Sequence, residues 1–155
     1  MGIYYIHAPP SGVHSLFQGA VNICNMYIKE FDKWNTVKQR IQGETRTINI
    51  REGEIRWVSF GVNVGSEIDG KGVSFTRPAL ILHVIGSQLA LVVPLSTKLK
   101  DLPGYKPLAF HDRLVSLCFH QMRVISQKRI YARLGKISRT KLNSYKIMVK
   151  KFYRL

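Results

Sequence analysis

The sequence predicts an α+β domain in which a compact antiparallel β-barrel carries one helix at each end. Two amphipathic helical patterns lie near the ends of the chain, and short apolar runs separated by turn residues fill the segment between them. A chain of 155 residues with 45% apolar residues is long enough for one such domain and too short to expect two.

The first helix is predicted over residues 21–42, with Gly43 as its C-cap. Its apolar residues follow the three-four spacing of a helix: Ile23, Tyr27, Ile28, Phe31, Trp34, Val37 and Ile41. The chain therefore divides into a leader (residues 1–20), either loosely ordered or left from an expression tag, a helix (residues 21–43) and the main domain (residues 44–155).

The main domain is predicted to consist of short strands followed by a helix. "GEIRWVSFG" alternates as a strand does, and "PALILHVI" and "QLALVVPLS" are apolar runs joined by "GS", which predicts a central hairpin. Pro94 is expected to mark an edge, a bulge or an exit point of its strand. Further strands are "LAFHD", "RLVSLCF" and "HQMRVIS". The last helix is predicted to begin at the N-cap Ser138 and to bury Leu142, Tyr145, Met148, Val149 and Phe152.

The net charge of +15 is concentrated in one part of the chain. Residues 98–155 contain fifteen Lys and Arg and two acidic residues, whereas residues 1–97 contain nine and seven. This asymmetry indicates a surface for a polyanion, and a basic surface without a partner is the alternative. Cys24 and Cys118 lie in apolar patterns, which predicts buried thiols in a reducing compartment, the cytoplasm. No apolar run reaches the roughly 18 residues of a membrane span.

Several catalytic patterns are absent from the sequence, among them the phosphate loop, the GxGxxG dinucleotide fingerprint, HExxH, paired CxxC and GxSxG. The five histidines have no ligand spacing. We therefore predict no metal and no cofactor.

The polar residues that remain lie at predicted strand ends. Arg77 precedes a proline, which favours an extended backbone, and Ser96 and Thr97 end the next strand of the hairpin. With Glu67 in the preceding loop, an arginine, a hydroxyl and a carboxylate at one rim suit phosphodiester chemistry. A surface ion pair between Arg77 and Glu67 is the alternative.

Five motifs occur in an order that resembles the PemK/MazF family of type II toxin–antitoxin ribonucleases. They are the "GEI" strand with its aromatic residue, the "GSE" loop, "RP", "VVPLSTK", and "HQMRVIS" followed by "GKI". The resemblance covers about residues 51–155. It implies a small SH3-like barrel of the plasmid maintenance toxin (MazF-Kid-CcdB) type that forms homodimers, binds an acidic antitoxin protein and cuts single-stranded RNA such as mRNA. Cleavage without a metal is implied to leave 2′,3′-cyclic phosphate and 5′-OH ends.

The resemblance also implies roles for individual residues. Arg77 corresponds to the family's conserved arginine, Ser96 to its catalytic threonine and Glu67 to the glutamate of "GSE". RNA binding is predicted for five residues: Lys71, Lys98, Lys100, Gln121 and Arg123. Gln121 and Arg123 match the family's "QxR" strand and are expected to be structural or near the RNA path rather than catalytic.

Three departures from the family pattern leave questions open. Serine replaces threonine at position 96, so Thr97 is a second candidate for the catalytic hydroxyl. The loop between "GSE" and "RP" is longer than usual, and His120 stands where the family often has an acidic residue. The first helix is either added core or a cover over the dimer or antitoxin surface. A non-catalytic nucleic-acid-binding or gyrase-inhibiting, CcdB-like member of the same fold is the alternative function.

Overall fold

A computed structural model of the protein describes residues 28–155. Two helices and seven strands make up the fold, and short 3-10 turns cover Phe119–Gln121 and Gln127–Arg129. The elements are α1 (Phe31–Gly43), β1 (Glu54–Ser59), β2 (Thr76–Ile85), β3 (Leu89–Ser96), β4 (Tyr105–Phe110), β5 (Arg113–Cys118), β6 (Arg123–Ser126), β7 (Ile130–Lys136) and α2 (Arg139–Tyr153). The predicted α+β fold with an antiparallel sheet and two helices is confirmed.

The strands pair in the order β4-β5-β3-β2-β1-β7, and β6 pairs with β3 beside this path. One edge of β3 is shared by two partners, because Leu89–Val92 pairs with β6 and Leu95–Ser96 pairs with β5. Pro94 lies where this edge changes partner, and its missing N–H is therefore not needed there. The expectation that Pro94 marks an edge, a bulge or an exit point is not met, because the residue lies inside β3 and pairs with Ala79 of β2. Within residues 28–155 no ladder joins β4 to β7, so the sheet has two free edges.

The two faces of the sheet bury separate apolar clusters. α2 covers one face with Leu142, Tyr145 and Val149, which pack in the same cluster as Ile55 and Leu80. The helix begins at its predicted N-cap, where the Ser138 hydroxyl accepts a hydrogen bond from Lys141 N at 3.2 Å. The second cluster contains Val58, Phe60, Ile81, Val92, Ile125 and Ile130. Met148 was predicted to be buried in the stripe of α2, but it is 41% exposed, since Val149 already takes the position over the sheet.

The first helix is shorter at its start than the periodicity predicts. It begins at Phe31, residues 28–30 are not helical, and residues 21–27, like the proposed leader, lie outside the described residues. Trp34 and Ile41 are buried with Val62 and Phe75, so α1 adds a third cluster to the core. Gly61 allows this contact: its φ is +84°, and a Cβ there would lie 2.2 Å from the Trp34 ring.

β7 has no clear signal in the sequence. Its residues Ile130–Lys136 alternate poorly, and the strand forms because β1 offers it a ladder that is interrupted by register shifts. Trp57 is 38% exposed, because alternation along β1 places it on the face opposite that of the buried Val58. None of the helices in residues 28–155 has the length and apolar character needed to cross a membrane.

Candidate active site

A groove of about 280 Å³ opens at the ends of the central strands. It lies between the start of β2, the end of β3, the end of β5 and the loop over residues 61–75. Twelve residues line it: Ser66, Ile68, Lys71, Arg77, Ser96, Thr97, Lys98, Lys100, Tyr105, Cys118, His120 and Gln121. Seven of the nine residues proposed from the sequence for catalysis or RNA binding therefore contribute to this one groove.

Arg77 enters the groove from the start of β2. Its backbone pairs with Val58, and its Nε donates a hydrogen bond to the carbonyl oxygen of Asp69. Within residues 28–155 no hydrogen bond engages its two terminal nitrogens, which leaves that side of the guanidinium to face a ligand. Burial lowers the pKa of Arg77 below its ordinary value, yet a guanidinium stays charged at neutral pH.

Ser96 ends β3 on the side of the groove that faces Arg77. The ladder between the strands ends at the pair Ala79–Pro94, and two residues further along each strand lie Arg77 and Ser96. Side chains two residues apart on a strand share a face, so these two project in the same direction. The Ser96 Oγ accepts a hydrogen bond from Lys98 N at 3.1 Å and keeps its own hydrogen to donate.

Asp69 holds the loop in front of Arg77 with both its main chain and its carboxylate. The carboxylate accepts a hydrogen bond from Asn63 N at 2.6 Å and pairs with Lys29 at 3.1 Å. Its carbonyl oxygen is the acceptor for Arg77. Lys29, in the segment before α1, therefore helps to hold Asp69, whose carbonyl oxygen positions the Arg77 guanidinium.

Gln121 secures the neighbouring part of the same loop. Its Oε1 accepts from Ile68 N at 2.9 Å, and its Nε2 donates to the Ser66 carbonyl oxygen at 3.2 Å. Both contacts are to the main chain on either side of Glu67. Gln121 was assigned to RNA binding from the sequence; these contacts give it a structural task at the groove edge.

Glu67 does not line the groove, although both of its neighbours do. Its side chain is exposed, and no ion pair joins it to Arg77 anywhere in residues 28–155. The alternative of a surface pair between these residues is therefore wrong. Among residues 28–155, no Asp or Glu lines the groove.

The proposed basic residues divide into two groups. Lys71, Lys98 and Lys100 line the groove, and the Lys100 ammonium lies 5.4 Å from the centre of the Tyr105 ring. Arg123 is not among the lining residues. Its Nη1 donates to Asn63 Oδ1 at 3.1 Å, and its guanidinium lies over the Phe60 ring at 5.6 Å, so it supports the loop from behind.

Five lining residues were not proposed as site residues from the sequence: Ser66, Ile68, Tyr105, Cys118 and His120. The Tyr105 and His120 rings are 4.6 Å apart, centroid to centroid. Cys118 is buried, as its apolar pattern predicts, and burial raises the pKa of its thiol to about 11, so it stays neutral. His120 had a signal in its position beside Gln121, whereas nothing local in the sequence marks Tyr105. Among the described residues, no cluster of His, Cys, Asp or Glu could hold a metal ion.

The sequence matches one protein family over most of the folded domain. Residues 51–153 match the family described as PemK-like, MazF-like toxins of type II toxin–antitoxin systems. The chain belongs to this family. The resemblance drawn from the five motifs is thereby confirmed, and no curated protein matches the sequence closely enough to be counted.

Solved MazF structures share the fold of this PemK/MazF family member. MazF (Form-I) from Deinococcus radiodurans aligns with a TM-score of 0.55 and 19% identity over 71% of this chain and 99% of its own. An endoribonuclease in complex with its cognate antitoxin, from a mycobacterial species, aligns at 0.52 and 14% over 69% and 97%. MazE–MazF (Form-II) from D. radiodurans aligns at 0.50 and 17% over 70% and 96%. At such identities the likeness establishes the fold.

Proposed function

We propose that the protein is a toxin endoribonuclease that cuts single-stranded RNA without a metal, through attack of the 2′-OH on the adjacent phosphate. The products are a 2′,3′-cyclic phosphate and a 5′-OH end. The observation that supports this proposal is that Arg77 and Ser96 line one groove together with three lysines, and that none of the described residues brings a carboxylate to that lining.

Each group in the groove has a task that its chemistry suits. The free side of the Arg77 guanidinium can hold two phosphate oxygens and stabilise the extra negative charge of the pentacovalent transition state. The Ser96 hydroxyl donates to the same oxygens, and Lys98 and Lys100 bind the flanking phosphates. Tyr105 offers a ring on which a base can stack.

α2 adds exposed cations: Lys150 and Lys151 in the helix and Arg154 at its C-cap. The end of this helix lies beside the turn that carries His120, since the Tyr153 hydroxyl donates to the Phe119 carbonyl oxygen at 2.7 Å. A single strand several nucleotides long would meet positive charge along its path, and an acidic antitoxin segment would compete for the same surface. We further propose that the toxin acts in the cytoplasm as a homodimer.

The test is incubation of the full chain with mixed-sequence RNA in excess EDTA, followed by analysis of the product ends. We expect cleavage, 5′ ends that a polynucleotide kinase labels without prior phosphatase treatment, and 3′ ends that resist direct ligation. The Arg77→Ala variant, prepared in parallel, controls for contaminating nucleases. Intact RNA, or products with 5′-phosphates, would refute the proposal and favour a non-catalytic, nucleic-acid-binding member of the family.

A further inference from the structure

His120 stands where β5 ends and the chain makes a single 3-10 turn, and it lines the groove with Arg77 and Ser96. The main chain at His120 is held in place, because the side chain of the neighbouring Phe119 is fully buried in the core. The imidazole is thus presented to the groove from a rigid part of the fold.

Two contacts set the orientation of the imidazole. The ring lies against Tyr105, and its Nδ1 is 3.4 Å from the carbonyl oxygen of Gly104. Gly104 has a φ of +86°, and a Cβ there would come within 2.7 Å of Nδ1, so only glycine permits this approach. Since a carbonyl oxygen can only accept, Nδ1 carries the hydrogen of the neutral ring. The lone pair then resides on Nε2.

The other ionisable groups of the groove offer neither a carboxylate nor a ring nitrogen that could accept a proton. Lysine and arginine side chains are donors without an acceptor, and burial raises the pKa of the Cys118 thiol to about 11. These groups, which face the imidazole from the surrounding elements, are Lys71, Arg77, Lys98, Lys100, Tyr105 and Cys118. With Glu67 outside the lining, the imidazole is the one acceptor that the groove offers among the described residues.

We propose that His120 is the general base of the cleavage reaction, an inference that rests on the proposed ribonuclease function. Nε2 takes the proton of the 2′-OH as the 2′-oxygen forms its bond to phosphorus. The bond from phosphorus to the 5′-oxygen breaks, and this oxygen takes a proton from water. The imidazolium returns its proton to the hydroxide so formed, which restores the starting state.

The test compares wild type with His120→Gln and His120→Ala, and uses His111→Asn as the matched control. His111 is an exposed histidine of the β4–β5 turn with a φ of +46°, a conformation that asparagine tolerates. Cleavage rates are measured across pH on one RNA with a fluorescent reporter. Affinity for a non-cleavable 2′-deoxy analogue and the melting temperature of each variant report on binding and folding.

We expect the rate at neutral pH to fall by about 10²–10⁴ in both His120 variants, the usual contribution of a general base. RNA affinity and melting temperature should stay as in wild type, the rise of the rate with pH should vanish, and added imidazole should partly restore His120→Ala. If the wild type is active and the His120 variants have the same rate and pH profile, the role of His120 is overturned and the ribonuclease function stands. An inactive wild type overturns the ribonuclease function as well.

Discussion

Arg77 and Ser96 line the same groove, each two residues beyond the last pair of the β2–β3 ladder, Ala79 and Pro94. The hairpin is anchored in the core, since Ala79 and Pro94 are fully buried. The relative position of the guanidinium and the hydroxyl is therefore set by strand register, the least adjustable feature of a sheet.

Replacement of Arg77 by lysine should abolish most of the activity although the charge is kept. Lysine lacks the planar fork that holds two phosphate oxygens at once, and its ammonium cannot keep the contact with the Asp69 carbonyl in the same geometry. We expect the cleavage rate to fall by about 10²–10³, the loss seen when one transition-state donor is removed. The exposed Arg113→Lys variant is the control. Full activity in Arg77→Lys would exclude a bidentate role.

The catalytic hydroxyl should belong to Ser96 rather than Thr97. Register places Ser96 opposite Arg77, whereas Thr97 follows the last residue of β3 and is exposed. Ser96→Ala should lower the cleavage rate by about 10²-fold, as expected for a lost oxyanion donor, and Ser96→Thr should retain activity. Thr97→Val should change the rate little. The opposite ranking of the two variants, measured on the same RNA, would assign the hydroxyl to Thr97.

Removal of the groove lysines should weaken RNA binding in a salt-dependent manner. Each phosphate contact contributes about 0.7 to the slope of log affinity against log salt for a single strand. Lys98→Ala and Lys100→Ala should each lower that slope by about this amount, whereas Lys38→Ala, exposed on α1, should not. Titrations at several salt concentrations measure the slopes. Unchanged slopes in the groove variants would place the RNA on another surface.

Trp34 should stabilise the domain because it fills the contact between α1 and the loop before β2. It is 6% exposed and lies edge-on to Phe75, with ring centroids 5.7 Å apart. Trp34→Ala should lower the free energy of unfolding by about 3 kcal/mol, at the low end for a buried aromatic residue. Phe31→Ala, on the same helix but 49% exposed, should cost much less. Urea denaturation of both variants checks this, and equal losses would mean that α1 is not part of the core.

The stability of the domain should fall in acid partly through Glu54. Burial raises the pKa of this carboxyl, but the hydrogen bonds from Arg56 and from Arg51 N outweigh it, and the pKa lies below the ordinary 4.5. Because the folded-state pKa is below the unfolded one, Glu54 stabilises the fold fully above pH 4.5. This contribution is lost as the pH falls through the folded-state value.

The measurement is the melting temperature of wild type and Glu54→Gln at neutral and acid pH. The gap between the two proteins should be wide at neutral pH and should narrow in acid, where the wild-type carboxyl is protonated. The exposed pair of Glu30 with Lys33 supplies the control, and Glu30→Gln should show no such change. A gap that is constant with pH would contradict the assignment.

Local sequence patterns correctly predicted the helices and strands that are determined by their own residues. The β2–β3 hairpin follows from two apolar runs, and α2 follows from its N-cap Ser138 and its three-four stripe. β7 was not predicted because its residues do not alternate regularly between apolar and polar, and the strand forms through its pairing with β1. The start of α1 was misplaced because apolar spacing continues before Phe31, although the helix does not.

The candidate site divides in the same way. Arg77 and Ser96 could be proposed because each stands in a short motif at a strand end. Tyr105 and His120 come from other segments and reach the groove only through the pairing of β4 with β5 and of β5 with β3. No single stretch of sequence records that convergence. Glu67 belongs to the "GSE" motif, yet its side chain lies outside the groove. The loop is held there through hydrogen bonds to the main chain of Ser66 and Ile68, on either side of Glu67.

That mode of attachment has a consequence for how members of the family can diverge. Gln121 binds the peptide groups next to Glu67 and none of the side chains there, so the exposed amino acids at positions 66 and 67 can change while the loop keeps its course. The side chains at this rim of the groove can therefore vary while the main chain of the loop stays in place. New side chains can be tried against new RNA sequences without disturbing the arginine and the hydroxyl behind them.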